Sequence, residues 1–197
     1  MAVSRVQTSS IKQGFPKYRA MLAGNTAYNP GATWLISRTT LSSDTQSVTF
    51  SSIPSTYVSL QLRIRGNSNG GPKITFNSNG TGYGEHRLVG NGSTASAGGA
   101  VGNSDFGNFG ALVPGGGGGL SGQETAYILD IHDYQSTTKN KTIRAISGYD
   151  ANGGGGSIRL GSGLWINTAA ISTIKIDSDT GSVWYAGTTF ALYGMVG

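Results

Sequence analysis

From Glu124 to Gly197 the chain repeats one device, a short run of β-branched and aromatic residues followed by a polar or glycine-bearing turn. The runs are Ala126–Ile131, Lys141–Ile146, Ser157–Leu160 with Gly163–Ile166, Ile171–Ile176 and Thr188–Tyr193. Each is short for a helix, and a spacing of about a dozen residues between turns is that of an antiparallel sandwich or barrel. The pattern predicts strands packed as two layers around one core. It gives no helical body for a site to be built on.

The first half adds strands to that body. Ala32–Ser37, Ser47–Phe50 and Lys73–Asn77 read as strands, and Tyr83–Leu88 is expected to pair with the last of these. The clearest strand is Tyr57–Arg65, where Val58, Leu60, Leu62 and Ile64 alternate with Tyr57, Ser59, Gln61, Arg63 and Arg65. A period of two places the four aliphatics on the core face and the arginines on the other. Ser182–Tyr185 is expected to return as a hairpin from Ile171–Ile176 through the turn at Asp177–Gly181. The fold class expected is all-β, an antiparallel β-sandwich spanning residues 31–197.

Two stretches do not fit the strand pattern. From Gly90 to Gly122 the sequence is glycine, serine, alanine and asparagine, with an unbroken glycine run at 115–119. It reads as a long glycine-rich loop, and a loop of that length in a compact domain points to a function or to an entropic spacer. Phe106 and Phe109 within it are candidate contacts, either anchoring the loop to the body or facing outward. The other stretch is residues 1–30, where Gly14 and Pro16 break any continuous helix. This segment reads as an extended N-terminal attachment arm.

Charge singles out the same arm. Arg5, Lys12, Lys17, Arg19 and Arg38 precede the first acidic residue, Asp44. Of 14 Lys and Arg, those five leave nine, which balance the nine acids, so the net charge of +5 lies in the leading segment. Five dispersed cations do not make a nucleic-acid arm, whereas they suit docking on an acidic protein surface. The candidate docking residues are Arg5, Lys12, Phe15, Lys17, Tyr18 and Arg19. Only 12% of residues are charged, about half the usual share, and a surface of Ser, Thr, Asn and Gly suits life against copies or partners.

Chemistry-bearing motifs are sparse. There is no cysteine, hence no disulfide and no thiolate metal site. Asp130-Ile-His132-Asp133 supplies one histidine and one carboxylate on a strand face, short of the three protein ligands of a catalytic zinc. His86, beside Glu85 in a glycine-flanked loop, reads as a surface residue. Asp177–Gly181 lacks the later ligands of a calcium loop. The glycine runs lack the Lys-Ser/Thr of a phosphate loop, and no G-x-S-x-G elbow occurs. No cofactor, metal or catalytic set is expected. Trp34, Trp165 and Trp184 are candidates for stacking on sugars, although Trp165 and Trp184 sit in apolar contexts that favour the core. No secretory leader or span of about 20 apolar residues is present, so synthesis in a cytosol without membrane insertion is expected.

Three segments carry a likeness to a known family. They are Val48–Tyr57 leading into Leu60–Arg65, the opening Ile11–Lys17 with Leu22–Asn25, and the ending Ile171–Ile176 with Ala186–Gly194. Together they resemble small virion structural proteins of tailed bacteriophages, of the tail-fibre or head-appendage type, from aquatic hosts. The resemblance implies a sandwich of jelly-roll type displayed on the virion and joined to it by its N-terminal arm. It implies symmetric oligomers, trimers above all, whose partners are copies of the chain and other virion proteins. Host surface glycans are a further expected partner, and nucleic acid is not. Capsid decoration and carbohydrate binding are the alternative roles.

Overall fold

The structure, a computed structural model, describes residues 33–107, 124–150, 155–179 and 181–196. Among them are eleven strands and no helix: β1 Thr33–Thr40, β2 Ser47–Phe50, β3 Ser59–Gly66, β4 Pro72–Phe76, β5 Tyr83–Gly90, β6 Ala95–Asn103, β7 Thr125–His132, β8 Lys141–Asp150, β9 Gly156–Trp165, β10 Ile174–Ser178 and β11 Thr189–Met195. They form two antiparallel sheets. The larger has the order β1-β11-β3-β7-β8-β9-β5-β6, and the smaller is β2-β10-β4. The β-sandwich expected from the strand spacing is therefore the observed architecture.

The core lies between the sheets. Leu60, Leu62 and Ile64 of β3, Leu129 and Ile131 of β7 and Ile143 of β8 pack with Val48 and Phe50 of β2, Ile74 and Phe76 of β4, and Ile174 and Ile176 of β10. Every second residue of these strands is buried, as a pleated strand with one face on the core requires. At one end the aromatic rings of Phe76, Tyr83, Phe106 and Trp165 meet. Tyr83 and Phe106 are edge-to-face at 4.7 Å between centroids, and Phe76 and Trp165 at 5.5 Å. The Tyr83 hydroxyl accepts from the Phe76 backbone N–H and donates to the Asn79 carbonyl at 2.9 Å.

Several expectations are corrected. Val58 is not on the core face; it lies 58% exposed just before β3. The neighbouring Tyr57 packs against the core instead, its ring lying over Gly194 where any Cβ would overlap it. Tyr83–Leu88 does not pair with Lys73–Asn77. Asn77 and Ser78 turn at positive φ, carrying the chain from the small sheet to the large one, where β5 pairs with β6 and β9. Ser182–Tyr185 forms no hairpin with β10, whose neighbours are β2 and β4; Trp184 makes single bridges to Thr45 and Ser68 instead.

The largest correction concerns the glycine-rich loop assigned to 90–122. Ala95–Asn103 is β6, in register with β5 from Gly90↔Ala95 to Glu85↔Ala100. Backbone pairing asks nothing of the side chain, so a strand at a sheet edge with no core to fill can be built from alanine, serine and glycine. Of the two readings of Phe106, the structure shows the anchoring one: it is a fully buried core residue, fixed by reciprocal backbone bonds with Ile74. Phe109, the remainder of that loop and the arm at 1–30 lie outside the described residues.

Candidate functional site: the outer face of the large sheet

The face of the eight-stranded sheet opposite the core carries the distinctive surface. Strand register builds it row by row. One row runs through direct cross-strand partners from β1 to β6: Arg38, Ala191, Arg63, then Ile128, Ile146, Leu160, Leu88 and Ala97. Its first part is basic and its second apolar. Leu88, Leu160 and Ile146 are 58%, 48% and 45% exposed, although large aliphatics on a solvated face are normally replaced by polar residues. The next row toward the β6 turn adds Ala126, Gly148, Ile158, Gly90 and Ala95. Over five strands about 4.8 Å apart and two to three rows, the apolar stripe covers about 300 Å², a size at which a patch commonly marks a contact site.

The opposite flank of the stripe is a polar row: Tyr193, Gln61, Asp130, Arg144, Ser162 and His86 are successive cross-strand partners. Gln61 Nε2 donates to Asp130 Oδ1 at 2.7 Å, and Arg144 Nη2 donates to Asp130 Oδ2 at 2.8 Å. Arg63 Nε donates to Gln61 Oε1, and its guanidinium lies 4.5 Å from the Tyr193 ring centre. Burial pushes the Asp130 carboxyl up, but the hydrogen bonds from Gln61 and Arg144 outweigh it and leave the pKa below the ordinary value. Asp130 is thus held as an anion that locks the strands and their arginines in place. The network spans β11, β3, β7 and β8 and keeps this side of the face rigid.

As a chemical site the row is incomplete. Ser162 and His86 are neighbours across β9 and β5, but no hydrogen bond joins them, and the other neighbour of Ser162 is Arg144. A nucleophile would need a base within reach, itself oriented by a third group. His86 lies on β5, exposed on the outer face, rather than in a loop; His132 ends β7, also exposed. Among the described residues no group of three or more His, Asp or Glu is placed to hold a metal ion. Trp165 and Trp184 are buried in the core and Trp34 is 42% exposed on β1, so of the three only Trp34 presents ring surface to solvent.

Of the residues singled out by sequence, Arg5, Lys12, Phe15, Lys17, Tyr18, Arg19 and Phe109 lie outside the described residues, and Phe106 is in the core. The outer stripe went unrecognised, yet it had a signal. Tyr127-Ile128-Leu129 and Ala145-Ile146 are apolar on both strand parities, which is the mark of strands meant to be covered on both sides. Comparison with protein-family models, with curated proteins and with solved structures finds no match.

Proposed function

We propose that the chain is a non-enzymatic structural protein of a tailed-bacteriophage virion that lies against the particle through the outer face of its large sheet. The observation that carries this reading is the stripe of Ile128, Ile146, Leu160 and Leu88, exposed among the described residues and bordered by Arg38 and Arg63. An apolar strip edged by cations fits a partner surface that is apolar with an acidic border. The resemblance of Val48–Arg65 and of both chain ends to virion structural proteins supplies the kind of particle. The burial of the tryptophans favours a capsid decoration role over a fibre tip, because a tip binding host glycans would present aromatic rings, and two of the three tryptophans are inside.

The test is incorporation into particles. Ile146→Glu combined with Leu160→Glu places two charges in the stripe without touching the core. The variant is expected to fold with an unchanged circular dichroism spectrum and to be lost from purified virions by at least tenfold. Normal incorporation of a folded double variant would refute the docking face. Gel densitometry of wild-type virions then separates the roles: hundreds of copies fit decoration, and a few to a few tens fit a fibre.

A further inference from the structure

A sheet edge presents a row of unpaired N–H and C=O groups, and folded proteins blunt such edges with short strands, bulges, proline, charge or a covering segment. Three of the four edge strands here are protected in this way. β1 has a bulge between Leu35 and Ser37 and carries Arg38. β2 is four residues long. β4 begins with Pro72 and Lys73, and Ile74 is covered by its bridge to Phe106.

The fourth edge is different. β6, Ala95–Asn103, has no charged residue, no proline and no side chain larger than that of Val101. Its bulge against β5 falls near its C-terminal end, after Ala100, so Ala95–Ala100 run in unbroken register. Its outer edge pairs with no described residue, and Ala95, Ser96 and Ala97 are exposed.

We propose that β6 is the edge through which two copies of this chain join, β6 against β6, antiparallel, about a two-fold axis perpendicular to the sheet. Isologous contact sets the strand against its own copy, so a charge near the axis would face its like, and β6 has none. Pairing needs only the backbone, and the small side chains leave both faces of the joined edge uncrowded. The same two-fold keeps both outer faces on one side. The apolar row that ends at Ala97 then runs on into the identical row of the second copy, doubling the stripe. An unrelated extended segment would add hydrogen bonds but would not continue that row, and this is why a second copy is the occupant. The inference is independent of the virion reading, since it concerns the edge rather than the face.

The experiment uses the full chain. At tens of micromolar, sedimentation equilibrium is expected to give twice the monomer mass. Ala97→Lys, which sets two ammonium groups near each other at the axis, is expected to return the monomer mass with an unchanged far-ultraviolet spectrum, and Ala97→Ser to stay dimeric. Because the chain has no cysteine, Ala97→Cys should form a disulfide-linked dimer under mild oxidation while Thr138→Cys, on a distant exposed turn, remains uncrosslinked. A monomeric wild-type chain, or an oligomer that Ala97→Lys leaves intact, overturns the proposal. An oligomer dissolved by the outer-face double variant but not by Ala97→Lys overturns it too, by moving the contact to the face.

Discussion

Lys141 is the most exacting place to test how this sandwich is held together. It opens β8 with its side chain wholly buried. The ammonium donates to the carbonyls of Lys139 at 2.7 Å, Ser136 at 2.8 Å, Thr168 at 3.1 Å and Asn167 at 3.3 Å. One cation therefore joins the turn after β7 to the segment after β9. Three protons serve four acceptors, so the two longest contacts share. Charge-assisted bonds contribute about 1.5–3 kcal/mol each, a gross gain of about 4.5–9 kcal/mol for three. Burial holds the lysine pKa below its ordinary value, with Asp133 partly opposing the shift, so desolvation of the ammonium takes back a few kcal/mol. Lys141→Met keeps the stem and removes the charge, leaving the carbonyls without their donor. The net loss expected is about 3 kcal/mol, or about 6–12 °C in Tm for a domain of this size. Urea unfolding followed by tryptophan fluorescence measures it, since Trp165 is the cross-strand partner of Lys141. A loss under about 1 kcal/mol would refute the reasoning, because it would mean that water serves these carbonyls as well as the lysine does.

Two further outcomes follow from the aromatic end of the core. Phe106→Ala should cost about 3–5 kcal/mol, measured by the same unfolding, whereas a displayed loop residue would cost almost nothing. Burial raises the Tyr83 hydroxyl to about 12 from 10.0, against a smaller lowering by its bond from the Phe76 N–H. The folded state therefore keeps a proton that the unfolded chain gives up. This stability is complete below pH 10, is lost as pH climbs toward 12, and is worth about 3 kcal/mol. Alkaline unfolding should be steep in that window, and phenolate absorbance should show late-titrating tyrosines, since burial also raises Tyr127, Tyr134 and Tyr149; Tyr83→Phe should lower the late amplitude by one tyrosine. Simultaneous titration of all tyrosines near their ordinary value would contradict it.

The sequence made some of this fold legible and hid the rest for physical reasons. Ser47–Phe50 was readable to the residue, the β3, β7 and β11 strands to within one or two residues at each end, and β8 in its first six residues, because strands that fill a core must carry large β-branched residues in a period of two. β6 was invisible since an exposed edge strand needs only its backbone, and Ala-Ser-Ala-Gly-Gly-Ala carries no propensity for anything. Phe106 looked like a loop residue because its partners, Ile74, Phe76 and Tyr83, are distant in sequence. The transfer of β5 away from β4 turns on two residues at positive φ, Asn77 and Ser78, neither of them glycine. The outer stripe is a property of register: Ile128, Ile146, Leu160 and Leu88 are scattered along the chain and become a line only when four strands are aligned.

The pairing of the first and last strands has a mechanical consequence. β1 and β11 run antiparallel with Thr33 opposite Met195, so residue 33 enters the sandwich beside the point where β11 leaves it. A load applied between these two points would peel the ladder one hydrogen bond at a time and open the sheet at low force. A load between residue 33 and the central strands would instead have to pull β1 lengthwise along β11, breaking the ladder all at once. A chain tethered through the segment before β1 and gripped by its outer face would bear strain in the second, stiffer direction.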